Sequence, residues 1–249
     1  VQDYRPAVVY LNGEFWGNQN IREKVNEHFV KTHFDIDSDD LDMLAILPNT
    51  AEPELIHGST EDYTEIRQFM TNNDLSIDDN YQYASQKYDV QNLIDYNIAQ
   101  IFVMNYDWPG NNNKLFKSKS GDGKWRHVMY DSDFGFERWG ANPFNIGSYE
   151  TYNMLDHAIG ESNVFNNPVW STAVFTTFLE NMDFRNKFIN TYCDRLNTTY
   201  STENTLYFMD SLRTIIEPYI SDHINRYGPD IYDLFLSLIH ISEPTRQDR

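Results

Sequence analysis

The sequence predicts an α+β fold in which a strand-rich first part gives way to a helical second part. Three observations carry this. Short apolar runs separated by Asn-Gly and Gly-Asp-Gly turns concentrate before Asp131, helical spacing dominates from Asn166 to Gly228, and no Gly/Ser- or Pro-rich linker or fixed-period repeat divides the chain. The 249 residues are 40% hydrophobic and 15% aromatic, which is ample material for a core despite the chain's acidity.

Taken in order, Ala7-Val8-Val9-Tyr10-Leu11, Asn12-Gly13 and Glu14-Phe15-Trp16-Gly17 read as strand, hairpin turn and aromatic return strand. A helix is expected next, with Asn20 as its cap, Val25, Phe29 and Val30 on its apolar face, and an end near His33-Phe34. Residues 35–42 are crowded with aspartates around Ile36 and Leu41, but no glycine occupies the sharp-turn position of a calcium loop, so a solvated acidic loop is expected. Met43 to Leu47 reads as a strand, followed by a loop through Pro53. Helices are expected at Tyr63–Met70, capped by Ser59 or Thr60, and at Asp89–Val103, with Leu93, Ile94, Ile98, Ile101 and Phe102 buried. The second helix runs into the polar loop Asn105 to Asn113. A hairpin follows, Leu115–Lys117 against Trp125–Tyr130 across a turn at Ser118–Lys124. From Asn166 to Gly228 the chain is read as apolar-faced helices.

Charge excludes several functions. With 19 Lys and Arg against 38 Asp and Glu the net charge is −19, which repels nucleic-acid phosphates and anionic membrane surfaces. No apolar run reaches the roughly 18 residues of a membrane span. One cysteine, Cys193, excludes an internal disulfide framework and a thiolate zinc cluster. The seven histidines have no zinc spacing and read as surface or core partners, and neither a P-loop nor a Gly-x-Ser-x-Gly elbow is present.

The loop and hairpin carry the chemistry. Phosphoryl transfer needs a carboxylate to accept a hydroxyl proton, plus an amide oxygen and a second carboxylate for magnesium. Asp107 sits in the loop after a helix, Asn112 follows five positions later, and the hairpin returns the chain to Asp131 and Asp133 of Asp131-Ser132-Asp133-Phe134-Gly135. Protein kinases use this order. If the segment is extended, Asp131 and Asp133 face the same side and approach one hard cation. Asp107 as a cap on Gly110, the Asn run as a plain turn and the paired acids as surface are the structural alternatives.

Three ordered motifs resemble the spore-coat CotH kinase family: Leu11-Asn12-Gly13-Glu14-Phe15-Trp16-Gly17 with Ile21-Arg22-Glu23-Lys24, then Asp107-Trp108-Pro109-Gly110-Asn111-Asn112-Asn113, then Tyr130-Asp131-Ser132-Asp133 before Phe136. The stretch Asn167–Gly228, with Phe184-Arg185-Asn186-Lys187-Phe188 and His223-Ile224-Asn225-Arg226-Tyr227-Gly228, is similar to that family's C-terminal region. The resemblance implies an atypical protein kinase-like fold that binds ATP and Mg2+ or Mn2+ and phosphorylates Ser or Thr of secreted, surface or coat proteins, placing the protein outside the cell or at its surface. Carried over by position, it makes Asp107 the catalytic acid–base group and Asn112, Asp131 and Asp133 the metal side. Glu23, taken as opening the helix, orients a phosphate-binding lysine, with Arg22 and Lys24 within reach of phosphate.

Tyr130 stands where the family usually has Trp. Family members also carry an R-G-N-S-type turn and a Lys-rich strand upstream of the hairpin. The expectation is therefore an N-terminally truncated domain over residues 1–240, with 241–249 a non-native or disordered tail. Two other classes remain: a non-catalytic surface interaction module on the same fold, and a glycoside hydrolase using Trp16, Trp108, Trp125 and Trp139 as sugar platforms with carboxylates apart across a cleft.

Overall fold

The computed structural model describes residues 4–132, 134–136, 152–160 and 168–228. Asp133, Trp139 and the 241–249 tail lie outside them. Strands come first and helices later, in two compact units. The first is drawn from residues 24–193; the second joins residues up to Glu23 to those from Asp194 onward.

The second unit begins with β1 (Tyr4–Leu11) and β2 (Glu14–Arg22), paired antiparallel. Their turn has Asn12 at φ 52° and Gly13 at φ 84°, the two positive φ values that let a two-residue loop match the twist of its strands. In the same unit a C-terminal helix packs on β2. The Arg226 guanidinium lies 4.1 Å from the Trp16 ring centroid, and Asn18 N–H donates to His223 Nδ1 at 3.0 Å. A side chain on Gly17 would meet the Tyr227 ring at 3.0 Å, so a glycine is required there.

In the first unit, α1 (Glu27–Phe34) is capped by Asn26, whose Oδ1 accepts from the N–H groups of His28 and Phe29. The expected cap, Asn20, is instead paired with Pro6 within the hairpin, which runs on to Arg22. Glu23 therefore precedes the helix and does not open it. After a 3-10 turn at Ser38–Asp40 come β3 (Leu41–Leu47) and β4 (Thr50–His57), the latter replacing the loop expected through Pro53. Proline is tolerated because β4 is an edge strand, where a missing N–H costs no ladder bond.

The helices α2 (Glu61–Asn72), α3 (Asp78–Lys87) and α4 (Val90–Phe102) follow. The third of these is buried nearly all round and capped by the Asp89 carboxylate on the Asn92 N–H at 3.0 Å. Strands β5 (Asn113–Ser118) and β6 (Arg126–Val128) complete an antiparallel sheet ordered β4-β3-β5-β6. Register sorts its residues. Met43 opposite Phe116, with Leu41 and Val128, packs on Phe29 and Val30 of α1. On the other face Asp42 opposes Lys117, both buried, and Lys117 also reaches Asp62 and the Trp125 ring. Asn92 on α4 accepts from His127 N–H at 2.7 Å and donates to His127 C=O at 3.2 Å, hydrogen-bonding the edge strand β6 as another strand would.

Beyond the hairpin lie α5 (Met154–Ala158), α6 (Val169–Phe178) and α7 (Met182–Asn197), the last crossing from the first unit into the second. Phe175, Phe178, Phe184 and Phe188 form an aromatic core between α6 and α7. The second unit is completed by α8 (Thr202–Ile216) and α9 (Ile220–Tyr227). Among the described residues no helix is long and apolar enough to cross a membrane.

Candidate active site

Helix α4 ends at Phe102 with Val103 as its C-cap, and the chain leaves it through Met104 at φ 53° into a buried loop. Asn105, fully buried, fixes the turn: its amide donates to Gln100 Oε1 at 2.9 Å and its own Oδ1 accepts from the Asp107 N–H at 3.3 Å. Asp107 Oδ2 then accepts two side-chain bonds, from Asn111 Nδ2 at 2.7 Å and Asn112 Nδ2 at 2.9 Å. The Asn112 amide also donates to the Asp131 carbonyl at 3.1 Å. One amide thus ties the loop's carboxylate to the far end of the hairpin, nineteen residues on.

Asn112 and Asp131 themselves sit at positive φ, 53° and 49°. The expectation of a straight extended segment carrying the aspartates does not hold at Asp131, since β6 ends at Val128 and the backbone turns left-handed three residues later. The turn folds residues 134–136 onto the end of α4. Phe136 N–H donates to Val103 C=O at 2.6 Å, and an added Cβ on Gly135 would stand 2.8 Å from that carbonyl oxygen and 3.0 Å from that of Ser132. Glycine of the Asp-Phe-Gly triplet is thus a packing requirement.

The electrostatics converge on the same place. Burial, then the charges of Asp131, Asp107 and Glu54, push the Tyr130 phenol above its ordinary range. Lys114, half-buried, is the cation beside them. Its Nζ lies 4.6 Å from the Tyr130 ring centroid and donates to the Val25 carbonyl at 3.1 Å. Burial lowers its pKa first, Glu54 and Asp131 raise it, and the nearby charge of Lys24 lowers it again. Lys114 is thus the half-buried cation beside the acidic loop, within the field of Lys24. Arg22 and Glu23 belong to the second unit.

Two histidines, His127 half-buried and His157 buried, support the loop from behind. Asn113 donates to the Pro109 carbonyl at 3.4 Å, so its Oδ1 accepts from His127 Nδ1–H at 3.0 Å. The His127 ring stacks on Tyr96 at 4.5 Å, and burial drives its pKa down to about 3. His157 bonds the Trp108 carbonyl through Nε2. Burial lowers its pKa to about 4, against the opposing effect of that carbonyl. A carbonyl only accepts, so Nε2 carries the hydrogen and Nδ1 accepts from the Tyr152 hydroxyl at 2.8 Å.

The structure thus joins Asp107, Asn112 and Asp131. Sequence reading missed Lys114, Asn113, His127, Tyr152 and His157. A lysine two residues after Asn112, just ahead of the apolar pair Leu115-Phe116, was the one available signal. Trp108 and Trp125 are only 2% and 1% exposed, which removes them as sugar platforms. The residue types gathered here, an amide on Asn112 and carboxylates on Asp107 and Asp131, are the oxygen donors a hard divalent cation takes. Among the described residues no group of three or more His, Cys, Asp or Glu side chains is placed to hold a metal ion.

The order of acid, amide and hairpin in this loop is the order that protein kinases use. The sequence matches the family described as CotH kinase protein over residues 1–229, and the chain belongs to that family. Membership points to protein kinase-like activity. No curated protein matches the chain.

Proposed function

We propose that this protein is an atypical, kinase-like phosphotransferase that moves the γ-phosphoryl group of ATP to Ser or Thr of secreted, surface or coat proteins. The observation that carries the reading is the Asn112 amide bridging the Asp107 carboxylate and the Asp131 carbonyl. Asp107 accepts the proton of the attacking hydroxyl, as a positioned carboxylate does in phosphoryl transfer. Asn111 and Asn112, both donating to Oδ2, hold that carboxylate in one orientation.

Asn112 and Asp131 would hold Mg2+ or Mn2+, with Asp133 as the second acid of the pair, and the metal supplies neutralisation of phosphate charge. Lys114, half-buried beside Tyr130, is suited to a nucleotide phosphate, and Lys24 joins it in this reading. A kinase-like domain over residues 1–240, acting outside the cell or at its surface, is part of the same proposal.

The test is isothermal titration of the chain with Mn2+, with and without ATP, beside transfer from labelled ATP to casein. Metal-dependent ATP binding lost in Asp131→Ala, and transfer reduced at least about a thousandfold in a folded Asp107→Ala, are expected. Binding with no transfer in the unaltered chain would favour a non-catalytic interaction module, and absence of both would overturn the reading.

A further inference from the structure

Asp107 is flanked by two buried aromatics, and one short segment holds both. Tyr106, immediately before it, meets the Tyr152 ring edge-on at 5.1 Å. Trp108, immediately after it, gives its carbonyl to His157 Nε2. Tyr152 and His157 are themselves linked, hydroxyl to Nδ1, at 2.8 Å. The segment is made rigid by its own cap. Asn153 Oδ1 accepts from the N–H groups of Leu155 and Asp156, and His157 N–H donates to the Asn153 carbonyl at 3.1 Å, so the imidazole leaves the last turn of α5 in a fixed direction.

Resting on the reading above, we propose that His157, oriented by Tyr152, is a positioning residue that fixes the Asp107 carboxylate for proton acceptance. The argument is geometric. The side-chain bonds from Asn111 and Asn112 set the carboxylate's rotation, but its distance from a substrate hydroxyl depends on where the backbone of residues 106–108 lies. That backbone is held on both sides of Asp107 by residues 152–158. An error near 1 Å in placing a catalytic group costs on the order of a hundredfold in rate. An imidazole with both nitrogens engaged is a stiff connector, and its ring makes one hydrogen bond toward the loop and one away from it. A core role alone would be met by any apolar side chain of similar volume.

His157→Phe, His157→Gln and Tyr152→Phe, each in the full chain, separate the two roles. The readouts are casein phosphorylation with Mn2+ and labelled ATP, resolved into kcat and KM, and 15N imidazole spectra of the unaltered protein. We expect the Phe variant to lose about 10- to 100-fold in kcat with KM for ATP within about twofold, as for other residues that orient a reacting group. Glutamine, which also donates at one atom and accepts at another, should recover most of the loss. Tyr152→Phe, lacking only the hydroxyl, should fall several-fold, and it serves as the test should His157→Phe not fold. The spectra should show Nε2 protonated and Nδ1 bare at neutral pH. Unchanged kcat per folded molecule in His157→Phe, or the opposite tautomer, overturns the positioning role alone. A natural chain that phosphorylates nothing overturns the proposed function, and this role with it.

Discussion

His127 and His157 make the first unit's stability depend on pH, and the size of the effect follows from their surroundings. His127 and His157 are neutral in the fold, with pKa values depressed to about 3 and about 4 by burial. In the unfolded chain each titrates near 6.5, so below that value the unfolded state binds more protons and gains. The stability is fully present above about pH 6.5 and is lost as pH falls toward the folded values. The cost approaches about 1.4 kcal/mol per pH unit and histidine well inside that window, so moving from about pH 6.5 to about pH 5 removes about 1.6 kcal/mol from each, about 3 kcal/mol together. The carboxylates remain mostly ionised over that range, which isolates the histidine contribution. Urea unfolding at the two pH values, followed by tryptophan fluorescence of buried Trp108 and Trp125, measures it. A double variant, His127→Gln with His157→Gln, should lose most of the slope. An equal slope in the double variant would refute the argument.

Three further outcomes follow from the site and its support. Gly135→Ala should cost about 1–3 kcal/mol in urea unfolding and weaken Mn2+ binding, because its new methyl meets two carbonyl oxygens; no change in either would show that the loop yields freely. Lys117→Met should destabilise by about 3 kcal/mol, because it leaves buried Asp42 without its cation, and restoring an apolar pair with Asp42→Leu should return part of that loss. Lys114→Met should raise KM for ATP by about tenfold, the worth of one charge-assisted bond, and leave metal affinity unchanged; an unaltered KM would remove Lys114 from the nucleotide side.

The sequence was most legible where local chemistry decides conformation. Asn12-Gly13 marked the first hairpin because only residues tolerant of positive φ make that turn, and Asp89 with the apolar spacing of α4 marked the helix that feeds the loop. The order of Asp107, Asn112 and Asp131 around a second hairpin was enough to suggest convergence. It failed where two local signals compete. Asn20 and Asn26 are both competent caps, and strand pairing across to Pro6 takes the first out of contention. Pro53 looked like a break because its place at a sheet edge is a tertiary fact. Lys114, Asn113, His127 and His157 owe their roles to burial and to partners 14 to 89 residues away, which no spacing rule records.

Four side-chain-bearing residues around the loop, Met104, Asn112, Asp131 and Phe136, hold left-handed backbone that costs each roughly 1 kcal/mol against glycine. The region therefore stands under tension that the rest of the first unit must offset. At Asn112 and Asp131 glycine would release that tension only by deleting the amide or the acid. Met104 brings no such group, so Met104→Gly is where the unit can become more robust with its chemistry left whole, and a higher urea midpoint with unaltered Mn2+ binding would be the mark of it.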